Sequence, residues 1–430
     1  MGARSHLFPN ITSAHRRAEM ACTGIELFHS EYQILRRKYA NAVSSEYFPF
    51  GIVQDKLSAK PLRAFFIRTL FEYLGTDVQN GQRSKLEALK NKLGFVAETL
   101  LCIQYYNNQI FDRKGGIVTK KSIDNHINLR DILESDLLDY IDGEIEEPYR
   151  HAVRLYVRKT LRFGAAGQIL EDQYNTYECW QNEADIADVL SEEGERFINR
   201  EVMFVFKKIV RATTGAFGIS GFDEADKNSK SRFLSVYFKK IYLRNAALYI
   251  FGTQLVLDIF KVEDKRRESL LRFATWFALM HQLVNDNADL VPSQHFLSTC
   301  AKSHLDAMSD LRNNIITLPV MIHLLQTPDS TMKYILERKM TDLPALLEMR
   351  IFREITQRWS IYIAMTITKA IKTNALKALY AAGFSTKNER AFKYLEDLCN
   401  IADNNKFYRR FYDEKLNYAR YSRIKKNVKS

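Results

Sequence analysis

Glycine and proline are scarce, at 17 and 8 of 430 residues. That excludes collagen-like chains and argues against turn-rich sandwiches and Gly-rich nucleotide-binding α/β folds. The five cysteines (22, 102, 179, 300 and 399) lie far apart with no CxxC pair. Neither a disulfide framework nor a zinc site is expected from them. No uninterrupted apolar run reaches the ~18 residues of a membrane span. The most apolar stretch, Leu248 to Phe260, is broken by Thr253, Gln254 and Asp258. No signal peptide is visible. The first eighteen residues carry Arg4, Arg16 and Arg17 and no acid before Glu19, a weak likeness to a mitochondrial presequence. A cytoplasmic location is expected, with a mitochondrial one second. The nine histidines show no HExxH spacing, and no GxSxG, P-loop or GxGxxG fingerprint stands in a usable context.

What is present is helix-forming sequence with material for a large core. Hydrophobic residues make up 46%, so global disorder is excluded. Apolar positions recur at three- and four-residue steps over 62–74, 86–106, 199–217, 232–260, 268–285, 311–326, 345–372 and 390–401. Segment 122–150 reads as a short helix followed by a loop, and 219–231 and 327–331 as connections. The organisation expected is an N-terminal extension (1–30), a helical domain (31–330) and a C-terminal helical extension with a basic tail (331–430). From Lys406 onward nine Lys/Arg face only Asp413 and Glu414, interleaved with aromatics such as Tyr412 and Tyr418. The net charge of +12 is otherwise spread along the chain, and no nucleic-acid motif accompanies it. The tail is therefore read as a solvated helix packing its aromatic stripe, and no nucleic-acid partner is expected.

One stretch carries chemistry: LRFATWFALMHQLVNDNADL, 271–290. On a helix, Gln282, Asn285, Asp286 and Asp289 share one face. Two carboxylates and an amide beside Phe277, Leu279, Met280 and Leu283 offer hard oxygen ligands suited to Mg²⁺. About twenty residues on comes SDLRNNIITLPVMIHL (309–324). Together the two pieces resemble the second aspartate-rich region of the isoprenyl diphosphate synthase family. That region has a glutamine, two aspartates, two spacers and a third aspartate, then Lys-Asp-Leu-Arg and Thr-Leu-Pro. Here the match is Gln282, Asn285, Asp286 and Asp289, then Asp310-Leu311-Arg312 and Thr317-Leu318-Pro319.

Upstream, SAKPLRA (58–64) resembles the family's Gly-Gly-Lys-Arg-Leu-Arg-Pro start, with Lys60 and Arg63 at a lysine and an arginine but without the glycines. Two cations three residues apart make a reasonable diphosphate clamp, one a point charge and one a fork. Counting on from Glu98, the first aspartate-rich motif falls on Asn108, Gln109 and Asp112, or on Asn107 and Asn108 with a one-residue shift. GQILED (167–172) resembles the family's Gly-Gln-x-x-Asp helix, with Gln168, Glu171 and Asp172. TTGAFG (213–218) resembles its Lys-Thr-Gly segment, with Thr213 in place of the lysine. The elements run in family order over roughly residues 45 to 325.

The resemblance implies an all-α, isoprenoid-synthase-like bundle around a central cavity, with extra C-terminal helices. It implies Mg²⁺ held by Asn108, Asp112, Asn285, Asp286 and Asp289, with Asp112, Asp286 and Asp289 as the catalytic carboxylates. It implies an allylic prenyl diphosphate contacted by Lys60, Arg63, Arg113 and Gln282. The chemistry implied is ionisation followed by chain elongation or cyclisation. A homodimer, or a heteromer with a prenyl diphosphate synthase, is the assembly implied. Two of three first-motif carboxylates are absent and Asn285 replaces a third. Each missing charge weakens a cation cluster by ~1 kcal/mol even when water-screened. Three readings follow in order: a divergent isoprenoid enzyme, a catalytically impaired partner subunit, and a helical binding protein for a lipid or a partner.

Overall fold

The computed structural model describes residues 62–75, 80–111, 120–182, 204, 208, 229–290, 308–383 and 385–403. The expectations at 1–61, 213–218 and 404–430, and most of the helix expected over 199–217, lie outside these. The regular secondary structure of the described residues is helical, and their one β-type pairing is an isolated bridge between Thr176 and Ile315. None of the described helices is long and apolar enough to cross a membrane.

In chain order the helices are α1 (Leu62–Leu74), α2 (Asn80–Phe111), α3 (Lys120–Glu144), α4 (Tyr149–Tyr174) and α5 (Tyr177–Asn182). Then come α6 (Ser229–Ile241), a π-type turn (Tyr242–Ala246), α7 (Ala247–Ile259) and α8 (Asp264–Asp289). The C-terminal part holds α9 (Ser309–Arg312), α10 (Leu318–Gln326), α11 (Thr331–Glu337), α12 (Ala345–Gln357), α13 (Ser360–Ala381) and α14 (Glu389–Asp403).

Several elements differ from the sequence reading. The short helix expected within 122–150 is the 25-residue α3. Leu133, Leu137 and Ile141 recur every four residues on its buried side, which outweighs its acidic remainder. α4 is a 26-residue helix that periodicity alone left unassigned. Its buried stripe runs Val153, Tyr156, Val157, Thr160, Gly164, Gly167, Gln168, Leu170 and Glu171, so small and polar residues occupy positions where apolar ones signal a helix. The stretch expected as one helix over 311–326 is interrupted at 313–317, where Ile316 N–H donates to Asn175 O at 3.0 Å and Asn175 Nδ2 donates to Ile316 O at 3.1 Å. Pro319 then opens α10, where a missing N–H costs nothing. The stretch 345–372 breaks at Trp359, whose φ of 67° is left-handed.

α8 is the hub. It packs most extensively on α13 and also meets α7, α10 and α14, while α14 also covers α1. The Tyr73 hydroxyl on α1 donates to Gly383 O at 2.5 Å. The C-terminal helices thus share one core that runs from Leu62 to Cys399. Burying such a continuous apolar set supplies the main drive for the bundle.

α4 approaches the π-type turn so closely that glycine is required. A Cβ at Gly167 would stand 2.7 Å from Arg244 N and 3.0 Å from its Cα. Backbone cannot yield as a flexible side chain can. Gly167→Ala should therefore destabilise the fold by about 1–3 kcal/mol, read as a lower urea midpoint, as expected for overpacking. An unchanged midpoint would mean that α4 can move away at no cost.

Candidate functional site

The last turns of α8 carry Gln282, Asn285, Asp286 and Asp289. Asp286 is buried and both its oxygens are engaged. The Tyr237 hydroxyl from α6 donates to Oδ2, and Gln282 Nε2 donates to Oδ1 at 2.6 Å. Gln282 Oε1 in turn accepts from Asn245 Nδ2 at 2.7 Å. Burial raises the Asp286 carboxyl above the usual carboxylate range. Lys240 pulls it back down, Asp310 pushes it further up, and the Tyr237 and Gln282 hydrogen bonds oppose the rise. Burial first, then the Asp286 charge, lifts the Tyr237 phenol well above its ordinary value.

Beside this chain lies a buried ionic group. Lys240 Nζ meets Glu171 of α4 at 2.7 Å, and the Arg244 guanidinium binds the same carboxylate. Lys240 Nζ also stands 5.1 Å over the Tyr237 ring. The side chains of Lys240 and Glu171 are only 3% and 4% exposed, so the pairing is what permits the charges to be buried. Lys240 precedes the π-type turn and Arg244 lies within it. Single π-type turns are frequent at functional sites.

Asp289 is used differently. Its Oδ1 accepts from Ser309 N–H at 3.1 Å and from Ser309 Oγ at 2.9 Å, and its Oδ2 accepts from Asp310 N–H at 3.0 Å. It therefore caps α9 from across the sequence, satisfying donors that a helix start leaves open. From α9, Arg312 continues to Glu348 of α12 at 2.5 Å.

Arg63 lies at the start of α1 with its Cζ 5.8 Å over the Tyr249 ring. The Tyr249 hydroxyl approaches His281 Nδ1 at 3.5 Å. Burial, then the Arg63 charge, lowers His281 to about 3. Asn108 sits half-buried in the last turn of α2. Lys60, Asp112 and Arg113 lie outside the described residues, so the structure places part of the expected site only. It joins Gln282 to Asp286 directly, and Asp289 to the Ser309–Asp310 backbone.

Do these residues fit Mg²⁺? Among the described residues no group of three or more histidine, cysteine or carboxylate side chains is placed to hold a metal ion. Asp286 and Asp289 face protein donors on every oxygen and are 1% and 5% exposed. The described residues do not by themselves make a magnesium site.

The sequence reading missed Tyr237, Lys240, Arg244 and Asn245. For Lys240, Arg244 and Asn245 the signal is the run KKIYLRN (239–245), where Lys240 and Arg244 stand four residues apart next to apolar Ile241, Tyr242 and Leu243; Tyr237 lies outside this run.

No protein-family model matches the chain, and no curated protein matches it in sequence. Solved structures do match in shape. A polyprenyl synthase from Caulobacter crescentus, complexed with calcium and isoprenyl diphosphate, superposes with a TM-score of 0.56 at 13% identity, over 91% of this chain and 96% of that one. The fold is an isoprenoid-synthase fold. A heptaprenyl diphosphate synthase from Staphylococcus aureus matches with a TM-score of 0.56 at 15% identity, over 88% of this chain and 98% of its own. A geranylgeranyl pyrophosphate synthase from Lactobacillus brevis matches with a TM-score of 0.56 at 13% identity, over 87% and 95%. The all-α bundle expected from the sequence is therefore observed, with its extra C-terminal helices.

Two outcomes are expected. Glu171→Ala strands two cations in the interior and should cost about 3–5 kcal/mol by urea denaturation. Replacing Glu171, Lys240 and Arg244 together with apolar residues should cost less, and a larger loss would contradict the buried-charge account. The second concerns acid. The folded chain holds His281 near 3 and His323 near 4, both below the ordinary 6.5, chiefly by burial. Their contribution to stability is full above about pH 6.5 and is lost as pH falls toward those values. The raised Asp286 and Glu98 carboxyls act in the opposite sense, stabilising at low pH and less as pH rises. The His281→Gln/His323→Gln variant should therefore lose less melting temperature than the parent between pH 7 and pH 5. An equal loss would show that neither imidazole is held neutral.

Proposed function

We propose that this chain acts in isoprenoid metabolism on an allylic prenyl diphosphate, as a prenyltransferase or a terpene-synthase-like enzyme. The observation that carries the reading is the bond set of Asp289. The two sequence pieces that resemble the second aspartate-rich region are twenty residues apart, yet Asp289 of the first binds Ser309 and Asp310 of the second. They form one local structure on the hub helix of an isoprenoid-synthase fold.

In this reading the substrate's diphosphate lies toward the C-terminal turns of α8, with Lys60, Arg63, Arg113 and Gln282 as its contacts. Arginine forks suit phosphate oxygens, and lysine supplies a compact charge. The allylic C–O bond breaks with its electron pair going to the diphosphate. The cation left behind is attacked by the double bond of isopentenyl diphosphate in elongation, or by the substrate's own double bond in cyclisation, and the new cation closes to product by losing a proton from the adjacent carbon or by capturing water. Near Arg63, the rings of Phe66, Tyr249, Phe273 and Phe277 pack on one another in the buried core. A metal centre built on Asn108, Asp112, Asn285, Asp286 and Asp289 would require Asp289 to release α9.

That last point favours a second reading, a catalytically impaired subunit that joins a prenyl diphosphate synthase. Both α8 carboxylates of the expected site, Asp286 and Asp289, are already committed to protein donors.

The test is incubation of the full chain with dimethylallyl, geranyl, farnesyl or geranylgeranyl diphosphate, with and without isopentenyl diphosphate, in Mg²⁺ and in EDTA. Longer diphosphates are expected from elongation, and hydrocarbons or alcohols from the allylic substrate alone indicate cyclisation. If nothing is consumed, the enzyme reading fails. Retained diphosphate binding together with co-purification of a synthase would then carry the subunit reading.

A further inference from the structure

α1 begins without an acidic residue in its first turn. Its open backbone donors are met instead from another helix. Glu98 of α2 lies 4% exposed beneath it, and one of its oxygens, Oε1, accepts from Arg63 N–H at 3.0 Å and from Ala64 N–H at 2.8 Å. A buried carboxylate thus does what a local Ser or Asp cap does elsewhere, from 34 and 35 residues away.

The residue fixed in this way is Arg63. Its side chain turns inward over the Tyr249 ring, and its Nε is buried without a hydrogen-bond partner among the described residues. The guanidinium charge is felt by Glu98, Tyr156, Tyr249 and His281, which come from α2, α4, α7 and α8. Glu98 and Asn108 share the single helix α2. Ten residues of α-helix span about 15 Å, so the same rigid rod that grips the start of α1 also carries the turn expected to meet the substrate.

We infer that Glu98 is a positioning residue: by holding the Arg63 and Ala64 amides it sets where the Arg63 guanidinium stands, and at what distance from the Asn108 turn, for contact with a diphosphate. This inference rests on the proposed reading of Arg63 as a diphosphate contact. Glu98 itself touches no ligand in this scheme. Its carboxylate is oriented to backbone, and a bound anion would be repelled by it at contact.

The distinction from a merely structural cap is testable, because a Gln side chain keeps a carbonyl Oε1 able to accept both amides. Binding of isopentenyl diphosphate and of inorganic pyrophosphate to the full chain is measured by calorimetry. The variants are Glu98→Ala, Glu98→Gln, Arg63→Ala and the Arg63→Ala/Glu98→Ala pair, each with its melting temperature. Arg63→Ala and Glu98→Ala should each weaken binding about ten-fold, in the range for loss of a hydrogen bond to a charged group. The double variant should bind no more weakly than Arg63→Ala, since residues acting through one another are not additive. Glu98→Gln should stay within about three-fold of the parent, as a retained acceptor predicts. If Glu98→Ala melts lower but binds as the parent does, or if the two losses add, the inference is overturned. If Arg63→Ala binds normally, Arg63 is no diphosphate contact and the inference falls with it. If the parent chain binds neither probe, the proposed function itself fails.

Discussion

The buried carboxylate of Glu171 is the point on which the described bundle turns. It binds Lys240 and Arg244, one on α6 and one on the π-type turn, and so ties α4 to the chain that runs into α7. Next to it, Tyr237, Asp286, Gln282 and Asn245 form a continuous line of hydrogen bonds from α6 through α8 to the turn. Charges taken out of water must find partners at close range, and an interior cannot supply alternatives. The two groups therefore specify one arrangement of three helices where apolar packing alone would tolerate several. Gly167 is part of the same device, because only a residue without a Cβ lets α4 come near enough for Glu171 to reach both cations.

The legible parts of this chain were those whose information is local. α1, the inner part of α2, most of α8 and α14 follow from apolar positions at helical spacing. The likeness of Gln282, Asn285, Asp286 and Asp289 to a known acidic region could be read because spacing on one helix survives in sequence. Apart from GQILED (167–172), read by its resemblance, α4 was illegible to periodicity for a physical reason. Its buried face is lined with Gly164, Gly167, Gln168 and Glu171 rather than with aliphatics. Those residues are buried because of partners on other helices, and a periodicity argument sees only the residue and not its partner. The length of α3 was hidden in the same way by its many acids.

The site followed this division. That Asp286 and Gln282 would stand one turn apart could be read directly. That Tyr237 and Asn245 would complete the line could not, because they lie 49 and 37 residues from their partners. Nor could Glu98 be recognised as more than a point from which to count toward a motif, although its two bonds to the start of α1 make it a structural member of the region.

Asp289 shows how one carboxylate can serve a fold and an expected chemistry in competition. Three donors converge on it from Ser309 and Asp310, and its own carbonyl accepts from Met308 N–H at 2.6 Å. From α9 the connection continues through Arg312 to Glu348, whose side chain is only 2% exposed. A cation drawn to Asp289 must replace these bonds with its own, and releasing α9 loosens the link to α12. The energetic cost of loading such a site is therefore shared with the C-terminal helices. They are tied to the end of α8 through this cap and the Arg312–Glu348 pair.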